Sequence, residues 1–162
     1  MGVMAAFIFA AQMLNFTVAG GALAAILLGP WAGMLIMTAV VAVQALLLQD
    51  GGLVVMGANI LNMGIIASFV GYYTYTWLTP IVGQRSWGML ARAFVAAWPS
   101  VVISAIATAV ELGLSGTIPL TVALPAMGSV HVLIGISEGV TTAATLAFIL
   151  ATRRDLLEMS AS

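Results

Sequence analysis

The sequence has no cysteine and no lysine, and only 6% of its 162 residues are charged. The absence of cysteine excludes disulfides, thiolate metal sites and a thiol nucleophile. The four arginines form no basic stripe, so nucleic-acid binding has no electrostatic support. Because there is no Gly-x-x-x-x-Gly-Lys-Ser/Thr loop, any ATP hydrolysis that drives this protein must occur in a partner.

In place of charge the chain carries an apolar excess, with 63% hydrophobic residues and a mean hydropathy of +1.20. Ordinary soluble domains carry about 25% charged residues. The apolar runs are too long for barrel strands and do not alternate, and a backbone in lipid must satisfy its own hydrogen bonds. We therefore predict an all-α, polytopic transmembrane helical bundle that forms one integral membrane domain over residues 1–162.

Turn residues divide the chain into apolar segments. About five should span the membrane as helices, namely 1–19, 22–48, 53–78, 88–112 and 127–151. A sixth, 117–126, contains Pro119 and Pro125 and is too short to span, so we predict a short interfacial or re-entrant helix there.

The arginines predict the orientation. Arg85 and Arg92 flank the start of the fourth segment, and Arg153 and Arg154 follow the fifth, so both groups fall on one side of the membrane. Short cytoplasmic loops are enriched in arginine and lysine. We therefore expect this side, and with it the C-terminus, to be cytoplasmic.

His131, the only histidine, stands seven residues before Glu138 in the last segment. Seven residues are about two helical turns, so both side chains point to one face. An ionised carboxylate at the centre of a spanning helix costs at least about 2.5 kcal/mol, so this face should meet the bundle interior. His131 is either a proton relay or metal ligand, or an imidazole bonded to a backbone carbonyl or to an amide of another helix.

Amide side chains form a second set of candidates at membrane depth. Such groups usually bond a neighbouring helix, but as a set they also indicate a polar path. Asn59 and Asn62 are three residues apart and should share a helical face. The path candidates are therefore His131, Glu138, Asn59, Asn62, Gln12 and Asn15.

Several motifs together resemble the CbiM family, the cobalt-specific substrate-capture (S) components of energy-coupling factor transporters, and the similar nickel-specific NikM type. The match runs in order along nearly the whole chain: MGVMAAFIFAAQMLNF (1–16), GALAAILLGPW (21–31), QALLLQDGGL (44–53), Gly57-Ala58-Asn59, Asn62-Met63-Gly64 and HVLIGISEG (131–139).

The resemblance implies that the chain binds Co(II), or Ni(II), for import across the inner membrane of a prokaryote, with cobalt serving corrin (vitamin B12) synthesis. It implies three kinds of partner: a transmembrane T component, two cytoplasmic ATPase subunits and a small CbiN-type subunit. The small-residue face with Ala6 and Ala10 would then dock the T component. The chain itself would be no enzyme and would hold no resident cofactor.

The chain departs from the family at the metal ligands. The family holds its metal by the amino terminus and a histidine after the initiator methionine, on an additional first helix, and by a histidine in a later loop. Here Gly2 follows Met1, and Gly20 leads directly to Gly21. We therefore expect a missing N-terminal helix and a missing loop, with Cα atoms of Gly20 and Gly21 farther apart than the roughly 3.8 Å of a trans peptide. No confident metal ligand or catalytic residue remains.

Two functions of other classes stay open. One is a self-contained ion or proton-coupled carrier that uses His131 and Glu138 as a relay and needs no ATPase. The other is a packing subunit of a membrane complex, in which Glu138 is structural. An intramembrane enzyme has the least support, because no second carboxylate or activated nucleophile accompanies Glu138.

Overall fold

A computed structural model describes residues 1–13, 20–49 and 51–152, without the side chains of 11–13. In these ranges the helices are α1 (Gly2–Met13), α2 (Gly21–Leu28), α3 (Pro30–Val43), α4 (Gly52–Asn59), α5 (Ala67–Trp77), α6 (Thr79–Val82), α7 (Ser86–Leu114) and α8 (Leu120–Thr152). Two stretches of π-helical turns extend this set: Gln44–Leu48 continues α3, and Ile60–Ile66 joins α4 to α5. The predicted all-α membrane bundle is confirmed.

Four helices of the described ranges are long and apolar enough to cross a membrane: Pro30–Leu48, Gly52–Val82, Ser86–Leu114 and Leu120–Thr152. The sequence predicts about five spanning helices. The difference lies in segment 1–19, where α1 covers only 12 residues and residues 14–19 lie outside the described part.

The predicted segment 22–48 is not one helix but two. Gly29 adopts φ 88° and ψ 160°, a backbone conformation that only glycine adopts without strain, and Pro30 then begins α3. Because proline has no N–H to donate, it is well suited to the first turn of a helix and not to its interior. The apolar run therefore continues while the helix does not.

The predicted short helix at 117–126 is also wrong, because α8 runs unbroken from Leu120 to Thr152. Pro119 stands just before this helix, where its carbonyl accepts the N–H of Ala123 at 3.0 Å. Pro125 lies near the start of the helix and removes only one N–H donor there. Both prolines are thus compatible with a single long helix.

The chain is continuous at Gly20 and Gly21. Gly20 caps α2 with φ 66°, and its carbonyl accepts the N–H of Ala24 at 2.9 Å. The prediction that these two Cα atoms lie farther apart than across a trans peptide is therefore wrong. That this sequence lacks an N-terminal helix and a loop near Gly20 and Gly21 stays a prediction.

The short helix α2 lies in the centre of the bundle and is buried along most of its length. Glycines allow its neighbours to approach closely. A Cβ at Gly71 in α5 would lie 2.6 Å from the Cβ of Ala22, and a Cβ at Gly33 in α3 would lie 2.9 Å from Ala25. The small residues of the sequence thus hold α2 between α3 and α5.

Helices α7 and α8 form an antiparallel pair beside α2. A Cβ at Gly113 would meet Leu120 at 3.0 Å, and at the other end a Cβ at Gly139 would meet Phe94 at 2.8 Å. Between these points the indole of Trp98 donates to the carbonyl of Val132 at 3.1 Å. This pairing fixes which face of α8 turns toward the interior.

Candidate functional site

The carboxylate of Glu138 lies at the N-terminus of α2. Glu138 is 0% exposed, and its Oε1 accepts the N–H of Gly20 at 3.2 Å. The N-terminus of a helix has unsatisfied N–H groups and a partial positive charge, so it favours a carboxylate. Glu138 thus points inward, as predicted, and its carboxyl group meets the N-terminus of the short helix α2.

Two buried hydroxyls lie close to this carboxylate or to the start of α2. Thr142 follows Glu138 by one helical turn, and the backbone N of Ser68 would lie 3.4 Å from a Cβ at Gly21. Thr142 is 1% and Ser68 0% exposed, and neither hydroxyl has a hydrogen-bond partner in the described part of the chain. Buried polar groups are nearly always paired, so unpaired ones indicate water, an ion or a functional role.

A polar stripe of α7 leads from this region toward the far end of the bundle. Its members are spaced by four, four and three residues and therefore share one face: Ser100, Ser104, Thr108 and Glu111. The Ser104 hydroxyl bonds the carbonyl of Asn62 at 2.8 Å, so the stripe faces the π-helical turns between α4 and α5. Such turns are rare and are frequent at functional sites.

The stripe ends at a pair that joins these elements. The side-chain amide of Asn62 donates through Nδ2 to Oε2 of Glu111 at 2.9 Å. Asn62 is 4% exposed, and its Oδ1 has no partner in the described residues, whereas Glu111 is half-buried. The sequence analysis did not single out Glu111.

His131 is half-buried, and its Nδ1 lies 2.8 Å from the carbonyl of Met127, one turn earlier in α8. This geometry fits the structural alternative, an imidazole bonded to a backbone carbonyl. Glu138 instead points to α2. The role of His131 as a path residue stays a prediction.

The other amide candidates have different surroundings. Asn59 is half-buried at the end of α4, where its Nδ2 would lie 2.5 Å from a Cβ at Gly51, so it lies toward the start of its own helix. Asn62, within the π-helical turns, turns to α7, where it bonds Glu111. The side chain of Gln12 and the whole of Asn15 lie outside the described residues.

Ala6 and Ala10, the candidates for partner packing, are exposed on α1. Ala6 lines an apolar groove of about 180 Å³ between α1 and α3, together with Phe9, Ala39 and Val43. Small side chains on both walls would allow a partner helix to approach closely.

Arg92, which the orientation argument places at the start of the fourth segment, lies inside a helix and is buried. It is 3% exposed within α7, its guanidinium lies 4.4 Å from the ring centre of Tyr75, and it donates to the hydroxyl of Thr79. Arg153 and Arg154 lie outside the described residues. The orientation therefore stays a prediction.

In the part of the chain that the structure describes, no three side chains of His, Cys, Asp or Glu come together as a metal site would require. The described part has one buried carboxylate at the N-terminus of α2, and a polar stripe on α7 that runs from Ser100, near the start of α2, to a second carboxylate, that of Glu111. Oxygen groups in a row of this kind can pass or hold a cation.

Comparison with known proteins gives one family. A family profile described as "CbiM: Cobalt uptake substrate-specific transmembrane region" matches residues 1–156. A solved structure titled as a transition metal transporter superimposes with a TM-score of 0.81 at 31% identity, covering 92% of this chain and 74% of that one. A truncated transition metal transporter gives a TM-score of 0.82 at 32% identity, covering 92% and 78%.

Two curated relatives carry names of different metals. A putative fused nickel transport protein NikMN of Archaeoglobus fulgidus is 43% identical over 171 residues, which cover 99% of this chain and 56% of the relative. A cobalt transport protein CbiM of Sorangium cellulosum is 39% identical, covering 86% of this chain and 63% of the relative. The chain thus spans less than two thirds of either relative. The first alignment, at 171 residues, is longer than this chain of 162, so that relative has residues without a counterpart here.

Proposed function

The chain belongs to the CbiM family, and from this membership we propose that it is the substrate-binding membrane subunit of an ATP-driven energy-coupling factor transporter that imports divalent cobalt. The observation that carries the proposal is the family match over residues 1–156, which includes Glu138 and the helix that it meets. Imported cobalt would serve cobalamin synthesis.

The geometry supports movement of a cation through this subunit. A divalent ion needs oxygen or nitrogen groups to replace its water at membrane depth, and the polar stripe of α7 supplies hydroxyls between Glu111 and the start of α2. Glu138 supplies the buried negative charge. His131, Asn59, Asn62, Gln12 and Asn15 remain the further candidates along this path.

Nickel is the alternative cargo, because the relative at 43% identity is named a nickel transport protein. Both ions accept nitrogen and oxygen ligands, so geometry alone does not separate them. The direct test is uptake of radioactive cobalt and nickel, measured in parallel in cells that express the full-length protein with its partner subunits.

The partners we propose are a transmembrane T component, two cytoplasmic ATPases and a small CbiN-type subunit. The exposed Ala6 and Ala10, with the groove beside them, support α1 as the face that meets the T component. Substituting Ala6 by Phe would fill this groove. It should prevent copurification of the T component while metal binding by the isolated subunit remains.

We also propose that the protein lies in the prokaryotic inner membrane with its C-terminus in the cytoplasm. The loop after α7 would then face outward, on the side from which metal arrives. A reporter fused after Ser162 that is active only in the cytoplasm tests this orientation.

A self-contained carrier that uses His131 and Glu138 as a relay is the competing function. The buried position of Glu138 favours it as much as it favours the transporter subunit. Uptake with and without the ATPase subunits decides between the two. Equal uptake in both conditions would support the carrier and contradict the proposed subunit.

A further inference from the structure

We propose that a groove on the outer face of α5 and α7 binds one acyl chain of an anionic phospholipid, in the leaflet at the Arg85 end of the bundle. The inference needs only a chain that spans the membrane, so it goes beyond the proposed transport and does not depend on it. The groove has a volume of about 400 Å³, and its walls contain Phe69, Val70, Tyr73, Thr74, Trp77 and Ile103.

Three aromatic side chains in a row form one wall of this groove. Phe69, Tyr73 and Trp77 stand four residues apart on α5 and therefore share one face. Their ring centres follow one another at 6.1 and 6.3 Å, and the indole of Trp31 on α3 meets Phe69 edge-on at 5.1 Å. These distances are typical of favourable aromatic pairs. The rings therefore hold one another in place and form a preformed apolar surface.

The walls of this groove differ in composition from those of the groove beside α1. There the small residues Ala5, Ala6 and Ala39 allow a partner helix to approach closely. The described residues in the walls of the α5 groove include no glycine, alanine or serine. Bulky rings keep a helix backbone at a distance, whereas a thin, flexible acyl chain can lie between them.

The groove is also short. Between Phe69 and Trp77 the helix rises about 12 Å, at about 1.5 Å per residue. The hydrocarbon core of a bilayer is about 30 Å thick, so this length falls within one leaflet. A seam with a spanning partner helix would extend farther. An acyl chain occupies one leaflet only.

One end of the groove lies toward the end of the bundle where α6 ends and α7 begins. Trp77 is the last residue of α5 and is 72% exposed, as is typical of tryptophan at a membrane interface. The charged residues that the structure describes at this end are both positive, namely the exposed Arg85 and the buried Arg92. The N-terminus of α7 adds a partial positive charge. This end therefore favours an anionic headgroup.

Lipid binding to the purified full-length protein, measured by native mass spectrometry in a mild detergent, tests the groove. The wild type should bind one molecule of palmitoyl-oleoyl phosphatidylglycerol. Ile103 is 43% exposed, so Ile103→Trp places an indole in the groove without disturbing the bundle interior. The variant should bind this lipid about tenfold more weakly, because the ring occupies the space of the chain. Unchanged binding would contradict the proposal.

Ile106→Trp is the matched control. Ile106 stands three residues later on α7, is 40% exposed and lies outside the groove walls. This variant should bind the lipid as the wild type does. Equal weakening in both variants would overturn the proposal, since any indole added to the outer face of α7 would then act alike.

Arg85→Gln tests the anionic headgroup. It should weaken the binding of phosphatidylglycerol by about fivefold and leave the binding of the zwitterionic phosphatidylethanolamine unchanged. Arg85→Lys keeps the charge and should bind both lipids as the wild type does. If the wild type binds the two lipids equally well, the choice of an anionic lipid is wrong.

Copurification with the T component separates a lipid from a partner helix as the occupant. Ile103→Trp should leave the complex intact, because α1 carries the proposed docking face. Loss of the T component together with unchanged lipid binding would assign the groove to a partner helix instead. None of these measurements involves transport, so absence of metal uptake by the wild type would count against the proposed function alone.

Discussion

The two ends of helix α2 lie in opposite surroundings. At its start Gly20 donates to the carboxylate of Glu138, whereas Leu23 and Leu27 bury their side chains in an apolar cluster with Ala93 and Leu146. The polar end, at Gly20 and Glu138, lies near the unpaired hydroxyls of Ser68 and Thr142. The apolar end, formed by the Leu23 and Leu27 side chains, is closely packed. From this difference we predict that the apolar end serves packing and that the polar end serves the proposed transport.

Gly71→Val should have the largest effect, because it removes the space in which the start of α2 is held. A Cβ at this position would lie 2.6 Å from the Cβ and 2.8 Å from the Cα of Ala22. We expect a loss of about 3 kcal/mol in the free energy of unfolding, together with the loss of uptake. Thermal unfolding in detergent and metal uptake measure the two effects.

Gly57→Val is the matched control in a neighbouring helix, since nothing lies within 4 Å of a Cβ at that position. It should change the free energy of unfolding by less than about 1 kcal/mol. If both glycine variants behave alike, close approach to α2 is not the reason for the loss.

Leu146→Ala should affect the apolar end alone. Leu146 is 0% exposed, and truncation leaves a cavity beside Leu23 and Leu27. We expect a loss of about 2 kcal/mol in the free energy of unfolding, the low end for buried leucines, because in lipid chiefly the packing contacts are lost. Uptake per folded molecule should remain.

The exposed Phe148, two residues later on α8, provides the control for this truncation. Phe148→Ala should leave the free energy of unfolding nearly unchanged. A large loss of uptake in folded Leu146→Ala protein would contradict the division between the two ends.

Glu138→Gln should show the opposite pattern at the polar end. The amide oxygen still accepts the N–H of Gly20, so the free energy of unfolding should change by about 1 kcal/mol or less. Uptake should fall by about tenfold or more, equivalent to about 1.4 kcal/mol, because the buried negative charge is gone.

Ser137→Ala serves as the control, since Ser137 is exposed on the same turn of α8. It should leave both measurements unchanged. Full uptake by Glu138→Gln would instead support the function of a packing subunit, with a structural Glu138.

The apolar end was the easier to predict from the sequence. Long runs without charge fix where helices can lie, and Leu146 or Leu23 needs only apolar neighbours to be buried. The break at Gly29 and Pro30 escaped notice because the run stays apolar on both sides of it. Hydrophobicity indicates which segments can lie in the membrane. Where α2 ends depends instead on the local backbone geometry of Gly29 and Pro30.

The polar end depends on contacts that sequence spacing does not show. Asn62 and Glu111 are 49 residues apart, and Gly20 and Glu138 are 118 apart. Glu138 was recognised because a carboxylate in an apolar run is unusual. Glu111 stands near the end of its run, where a solvated charge is the ordinary interpretation, and only packing of α7 on the π-helical turns makes it part of the stripe.

Thr142→Val should produce the smallest effect and the finest test of the comparison. The hydroxyl is 1% exposed and unpaired in the described part of the chain, so an isosteric methyl should raise the free energy of unfolding by up to about 1 kcal/mol. If the polar end retains this hydroxyl for transport, uptake should fall by about twofold while stability rises, as expected for a functional site that is not optimised for stability.

Thr141→Val is the matched control, because that hydroxyl already donates to the carbonyl of Ser137 at 2.9 Å. Higher stability with unchanged uptake in Thr142→Val would place Thr142 with the packing residues and move the boundary between the two regions closer to Glu138.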